Sequence, residues 1–172
     1  MASSASASPP DARARRSPPP PWPDGLDLPD VGLVARVMRL NLLVTRIVDA
    51  ITTAEGIATA DYLVLAVVRR SPSYCTSPTR LCEVLGRSSG GMTLTLDRLE
   101  AEGWLSRAPD PSDRRRVVVE LTEAGIEVST RVNDALHLWE GSLGLGPRGQ
   151  ASVVHRVDGL LELFEAATAE HA

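Results

Sequence analysis

The chain is most strongly constrained by two short helical segments that follow each other almost without a gap. Ser77 and Pro78 are typical of a helix start, an N-cap followed by proline in the first turn, and Gly86 is typical of a helix end. Ser88 and Ser89 can cap the next segment at once. The apolar positions of this second segment recur at helical spacing: Met92, Leu96 and Leu99. Two helices so short and so close predict a helix-turn-helix.

Two predicted β-strands follow this helix pair, one from Trp104 to Arg107 and one from Val117 to Leu121. The second strand is rich in β-branched residues, and the loop between the strands is rich in turn residues. A helix-turn-helix followed by a hairpin with a basic tip is a winged helix-turn-helix, whose second helix can enter a major groove about 12 Å wide. The sequence therefore predicts a mainly α fold with a small β-hairpin, and double-stranded DNA as the partner.

The outward face of the second short helix suits a close approach to DNA. With the apolar face turned inward, Gly90, Thr93, Leu94, Asp97 and Arg98 point outward. Thr93 can hydrogen-bond to a base edge, Leu94 suits a thymine methyl group, and the helix start can hold a phosphate. An ordinary amphipathic helix with glycines in its first turn is the alternative. The predicted DNA contacts are Ser77, Thr79, Ser88, Ser89, Gly90, Thr93, Leu94, Arg98, Arg114, Arg115 and Arg116.

Three consecutive arginines at the hairpin tip, Arg114 to Arg116, are the densest positive cluster of the chain. The whole chain has a formal net charge of −4, and all of its 18 basic residues are arginines. The lobe from Thr76 to Leu121 contains seven arginines and seven acidic residues, so affinity for DNA must come from the arrangement of charge. We expect strand alternation to send Arg114 and Arg116 to one face and Arg115 to the other.

The segments on either side of the lobe indicate a second subunit. From Val31 to about Ile51, apolar residues cover more than half of a helical circumference, and such a helix must be covered on nearly all sides. Residues 1–30 contain eight of the 13 prolines and bury too little surface to offset their ordering entropy. The predicted organisation is a disordered arm at 1–30, dimerisation helices at 31–54 and 122–170, and the winged lobe at 59–121.

The middle of the chain resembles the MarR family of transcriptional regulators. The resemblance rests on residues 88–100, Gly103, residues 110–115 and residues 121–125. It implies a homodimer that binds a palindromic operator, most often as a repressor, and that a small aromatic or anionic molecule releases from DNA. It also implies that Arg115 is the side chain placed in the minor groove.

The proline-rich arm and residues 78–79 and 88–93 are most similar to the PecS-like, urate-responsive branch of that family. The resemblance implies an effector site between the dimerisation helices and the lobe. There an arginine can pair with an anion while an aromatic side chain covers it. The candidate contacts are Trp22, Arg36, Arg39 and Tyr62.

No motif for an enzyme, a cofactor or a metal ion stands out in the sequence. The cysteines Cys75 and Cys82 lack metal-ligand spacing, but they lie near the helix-turn-helix. A thiol-based redox-sensing regulator on the same scaffold is therefore the alternative function. An apolar run near the length of a membrane span and an apolar signal core are both missing, so we expect a cytoplasmic protein.

Overall fold

The computed structural model describes residues 32–110 and 113–169. The proline-rich arm with Trp22, and Pro111 and Ser112 of the hairpin loop, lie outside these residues. The chain divides into two compact units, Met1–Arg46 and Ile47–Ala172. The described elements are α1 (Leu33–Ala54), α2 (Thr59–Arg70), a 3₁₀ turn (Pro72–Tyr74), β1 (Cys75–Thr76), α3 (Pro78–Leu85), α4 (Ser89–Ala101), β2 (Leu105–Pro109), β3 (Val117–Leu121), α5 (Glu123–Gly141) and α6 (Pro147–Ala169).

The predicted mainly α architecture with a small hairpin is confirmed, and the cap residues account for where its short helices begin. The Ser77 hydroxyl accepts the Arg80 amide, and the Ser88 hydroxyl accepts the Gly91 amide. Gly86 ends α3 in the left-handed conformation, with φ of 61°. A side chain there would be strained, which is why glycine marks the helix end.

Two regions differ from the sequence prediction. Ser71 and Pro72 are typical of a turn and predict one at residues 69–76, yet α2 continues to Arg70 and Cys75–Thr76 forms β1. Two-residue strands have no periodic pattern, and this one exists because it pairs with β3. The first hairpin strand begins at Leu105 and continues to Pro109, because pairing with β3 extends as far as Val117. Helix α4 ends at Ala101, and Gly103, with φ of 72°, follows its C-cap residue as a glycine that stops a helix does.

The three strands form one antiparallel sheet in the order β1-β3-β2. Its base packs onto a core built from α2, α3, α4 and the first turns of α5. The helix-turn-helix formed by α3 and α4 thus packs between α2 and the hairpin. The buried apolar side chains of the second unit include Val64, Leu65, Val68, Leu81, Met92, Leu96, Leu99, Leu105, Val119, Val128 and Val132.

The hairpin is joined tightly to the start of α5. The Thr122 hydroxyl accepts the Gly125 amide and donates to the Gly103 carbonyl at 2.6 Å. Gly125 lies against the backbone of Trp104, so closely that an added Cβ would stand 1.8 Å from the Trp104 carbonyl oxygen. Only glycine allows this contact, and the base of the hairpin therefore rests directly on the helix backbone.

Among residues 32–110 and 113–169, no single helix is both long enough and apolar enough to cross a membrane. The bent pair of α1 and α2 meets that criterion together, by length and composition alone.

Candidate nucleic-acid interface

Helix α4 presents the face that the sequence predicted. Met92, Leu96 and Leu99 are buried, and the buried Thr95 completes the inward side. Gly90, Thr93 and the other outward positions are exposed, and Leu94 is 69% exposed. Among the large apolar side chains of the described residues, only that of Leu138 is more exposed. Small residues beside an exposed leucine make this face a candidate for contact with a partner.

The beginning of α4 offers backbone donors as well as side chains. The first amides of a helix lack acceptors within the helix, and here the Ser88 hydroxyl accepts the Gly91 amide at 3.3 Å. The amides of Ser89 and Gly90 remain at the exposed start of the helix. A Cβ added at Gly90 would meet no atom within 4 Å, so this glycine leaves open space for a partner to approach.

Helix α3 lies next to α4, and two further predicted contacts, Ser77 and Thr79, lie at its start. Thr79 is exposed, whereas Ser77 is half-buried and its hydroxyl oxygen caps the helix. A serine hydroxyl that accepts one backbone amide can still donate its own hydrogen. Both residues are thus placed at the start of α3 with hydrogen-bonding capacity that a phosphate could use.

Arg98 has a partner that the sequence analysis missed. Its Nε donates to Oδ2 of Asp61 at 2.9 Å, and its Nη2 forms a second bond to Oδ1 of the same carboxylate. The Asp61 side chain is 6% exposed and that of Arg98 is 51% exposed. The hydrogen bonds and the charge of Asp61 raise the pKa of Arg98 further. The pair fastens α4 to α2 and uses two of the five N–H donors of Arg98, whose contact with DNA stays a prediction.

A second arginine neutralises the acidic side of α4. Arg107, on β2, bonds to Asp97 at 2.7 Å and to Glu100 at 2.8 Å. Two carboxylates on a DNA-facing helix would repel phosphates, and Arg107 offsets both of them. The hairpin therefore contributes to the electrostatics of the helix as well as carrying its own charge.

The arginines of the hairpin tip lie in a turn, which corrects the expected strand alternation. β3 begins at Val117, so Arg114, Arg115 and Arg116 precede the strand and do not alternate between its faces. The Arg116 amide donates to the Asp113 carbonyl at 2.8 Å, which closes the turn. All three arginine side chains are exposed.

Asp113 organises this turn and favours one arginine over the others. Its carboxylate accepts the Arg115 amide at 3.1 Å and lies 3.4 Å from Nε of Arg116. Arg116 is thus partly neutralised, whereas the same carboxylate contacts the backbone of Arg115 and orients it. The arrangement leaves Arg114 and Arg115 as the projecting charges of the wing, the hairpin formed by β2, β3 and the turn between them.

A cavity of about 180 Å³ opens between α2 and α5. The buried Tyr62 forms one wall, and burial raises the pKa of its phenol although Arg70 and Arg69 oppose that shift. The other lining residues are Ala66, Arg69, Arg70, Ser129 and Asn133. Of the four predicted effector contacts, Tyr62 lies on this cavity, Arg36 and Arg39 lie on α1 in the first unit, and Trp22 lies outside the described residues. Arg69 and Arg70, next to each other at the end of α2, were readable as a basic pair but were not singled out.

The two cysteines differ in their surroundings. Burial raises the pKa of the Cys75 thiol, and the charge of Glu120, the residue paired with it on β3, raises it further. Cys82 is half-buried and packs against the core. Thiolate is the reactive form of cysteine, so the environment of Cys75 opposes oxidation at neutral pH. Within the described part of the chain, no group of three or more His, Cys, Asp or Glu residues could hold a metal ion.

Comparison with known proteins finds a family of similar sequence. Residues 55–116 match the model of the MarR family. The chain is 33% identical over 108 residues to the HTH-type transcriptional regulator PecS of Dickeya dadantii, a match that covers 62% of this chain and 65% of PecS. The chain spans less than two thirds of the length of the curated relatives that it matches first.

Solved structures agree with the match. Apo wild-type MarR from E. coli superposes with a TM-score of 0.65 at 27% identity, covering 76% of this chain and 98% of MarR. A cysteine-to-serine mutant of the same MarR, in complex with operator DNA, superposes with a TM-score of 0.55 at 27% identity and covers 76% and 99% of the two chains.

Proposed function

We propose that the chain is a regulator of the MarR family that controls transcription by binding a palindromic operator as a homodimer, a proposal supported by the match of residues 55–116 to that family and by the similarity to PecS. The observation that carries the proposal is the outward face of α4, with small residues and the exposed Leu94, beside a turn that projects Arg114 and Arg115. The helix matches the width of the major groove, and the arginines suit the adjacent backbone and minor groove. The MarR structure solved with operator DNA supports the same mode.

The experiment is a binding titration of the full-length protein on DNA from upstream of its own coding sequence, followed by fluorescence anisotropy. We expect saturable binding that weakens steeply as salt concentration rises, because arginines displace counterions from phosphates. A shuffled duplex of the same composition is the control. Equal affinity for both duplexes would leave non-specific binding alone and contradict the proposal.

The homodimer is supported by apolar surface that each unit leaves exposed. In the first unit, Val34, Met38 and Val44 of α1 are exposed. In the second unit, no residue of α6 is buried, and Val154 and Leu161 are 52% and 55% exposed. Apolar surface of this extent on one protomer is typical of a surface that another subunit covers.

Sedimentation equilibrium tests the dimer. Val44→Asp and Leu161→Asp each place a charge on a surface that the proposal buries, so we expect dissociation accompanied by loss of stability. Glu162→Gln, a change at an exposed polar position next to Leu161, is the control. A wild-type chain that is a folded monomer at micromolar concentration would contradict the dimer.

The effector is proposed to be a small aromatic or anionic molecule, such as a urate-like acid. The cavity beside Tyr62 supports this class of ligand. Arg69 and Arg70 each use one Nη1 hydrogen on a backbone carbonyl, of Ser129 and Ala66 respectively. A guanidinium has five N–H donors, so both arginines keep donors for a carboxylate or another anion. An aromatic ring would lie against the Tyr62 side of the cavity.

Titration of salicylate and of urate into the protein–DNA complex tests the effector. Release of DNA by either acid should be weakened in Arg70→Gln and unchanged in Arg148→Gln, a variant at an exposed arginine of α6. No release by either acid at millimolar concentration would contradict an effector of this class. Repression, a cytoplasmic location and the absence of enzymatic activity belong to the same proposal, and they follow from the regulators that the chain resembles.

A further inference from the structure

The first two turns of α4 lack the side chain that most often reads guanine. Guanine is usually recognised by an arginine that donates to O6 and N7 in the major groove. Arg98 is the basic residue of α4, and its Nε and Nη2 are both bonded to Asp61. The first two turns of α4, which lie closest to the exposed helix start, contain no cation at all. A base edge that meets these two turns would therefore face Thr93 and Leu94 and no arginine.

Thr93 is restricted to one hydrogen-bonding role. Its hydroxyl donates to the Ser89 carbonyl at 2.9 Å, within the helix. A hydroxyl has a single hydrogen and two lone pairs, so the exposed side of Thr93 presents acceptors. In the major groove, donors are offered by the N6 amino group of adenine and the N4 amino group of cytosine, whereas guanine and thymine edges offer acceptors. Thr93 therefore favours an amino-bearing base.

Leu94 adds the second half of the preference. It follows Thr93 directly, and its side chain is 69% exposed. The C5-methyl group of thymine is the apolar group that a base pair presents in the major groove. A leucine that covers this methyl group removes apolar surface from water on both partners. Thymine pairs with adenine, whose N6 amino group is the donor that Thr93 can accept.

We infer that α4 reads an A·T-containing core in each half-site, with Leu94 on a thymine methyl group and Thr93 accepting from an adenine N6 amino group. The inference rests on the proposed DNA-binding function and specifies its sequence preference. Affinity then comes mainly from backbone contacts and the wing, while these two neighbouring side chains determine which base pairs are accepted at the centre of the half-site.

The test begins with double-stranded DNA that the full-length protein selects from a randomised pool. In a selected duplex, each thymine is replaced in turn by deoxyuridine, which lacks only the methyl group. We expect one position in each half-site where affinity falls about fourfold, as for the loss of one buried methyl group. Leu94→Ala should abolish that sensitivity, so the effects of the protein and DNA changes should not add. This double-mutant cycle is its own control for unrelated losses of affinity.

Thr93 is tested in the same selected duplex with purine in place of adenine, which removes the N6 amino group. The wild type and Thr93→Ser should prefer adenine, whereas Thr93→Val, which keeps the shape and loses the hydroxyl, should bind both duplexes equally. Circular dichroism melting checks that the variants fold, and the deoxyuridine scan of the wild type decides the question without any variant.

The outcomes separate the inference from the function on which it rests. Selected sites with G·C pairs at the centre of the half-site and no response to deoxyuridine would overturn the inference and leave DNA binding intact. A pool from which the protein enriches no duplex would overturn both.

Discussion

Replacing Arg98 with methionine should destabilise the protein more than breaking an ion pair between two exposed side chains. The substitution keeps the aliphatic stem of the side chain and removes the guanidinium that holds Asp61. The Asp61 side chain is 6% exposed, so its carboxylate would then stay buried without the guanidinium. A buried charge without its partner has lost the interaction that offset its desolvation.

The burial of the two partners sets the size of the effect. Breaking a fully buried ion pair costs about 3–5 kcal/mol, and breaking an exposed one costs about 0–1 kcal/mol. Asp61 belongs to the first class, but the Arg98 side chain is 51% exposed, so water screens its half of the pair. Between these limits we expect a loss of about 2 kcal/mol in the free energy of unfolding. DNA binding should also weaken, because α4 loses its attachment to α2.

Urea denaturation followed by circular dichroism, at one fixed protomer concentration, measures the loss. Arg131→Met is the matched control, because the Arg131 side chain is 48% exposed and pairs with Glu55 and Glu127 at the surface. It should cost less than about 0.5 kcal/mol. The double variant Asp61→Leu with Arg98→Met should recover part of the stability, since no buried charge remains. Equal losses for Arg98→Met and Arg131→Met would refute the reasoning.

Three further predictions concern the wing, its base and the cysteine on β1. Arg115→Ala should weaken operator binding by about 1–3 kcal/mol with an unchanged melting temperature. If the variant binds with wild-type affinity, the wing does not contribute to binding. Gly125→Ala should lower the free energy of unfolding by about 3 kcal/mol, because the methyl group collides with the Trp104 carbonyl. Gly141→Ala, in open space on the same helix, should not lower it in the same urea titration. Cys75, in a variant whose other cysteine is alanine, should react with Ellman's reagent more slowly than the urea-unfolded chain at neutral pH. Its rate should keep rising above pH 9.0, the ordinary thiol pKa, and equal rates in both states would contradict the raised pKa.

The helices and the buried face of α4 could be predicted from the sequence, because their signals are local. Ser88 caps its helix through a residue three positions away, and Met92, Leu96 and Leu99 follow a helical period that needs no knowledge of the rest of the fold. Gly86 predicted the end of α3 in the same way.

The interactions that organise the candidate site are long-range, and the sequence pattern did not reveal them. Asp61 and Arg98 lie 37 positions apart, and nothing near either residue indicates the other. The turn at the hairpin tip depends on Asp113, which the sequence placed beside the arginines without showing that the strand starts only at Val117. The effector and operator contacts remain predictions, because they depend on molecules outside this chain.

In the strand order β1-β3-β2, β2 is an edge strand, and its outer backbone edge forms one side of the wing. An unpaired strand edge can recruit strands from other molecules, and regulators gathered side by side on DNA would meet each other often. β2 ends in Pro109, which has no N–H to donate, and carries the charged Arg107 two residues earlier. The wing that we propose to contact DNA is therefore a poor template for β-aggregation between neighbouring molecules.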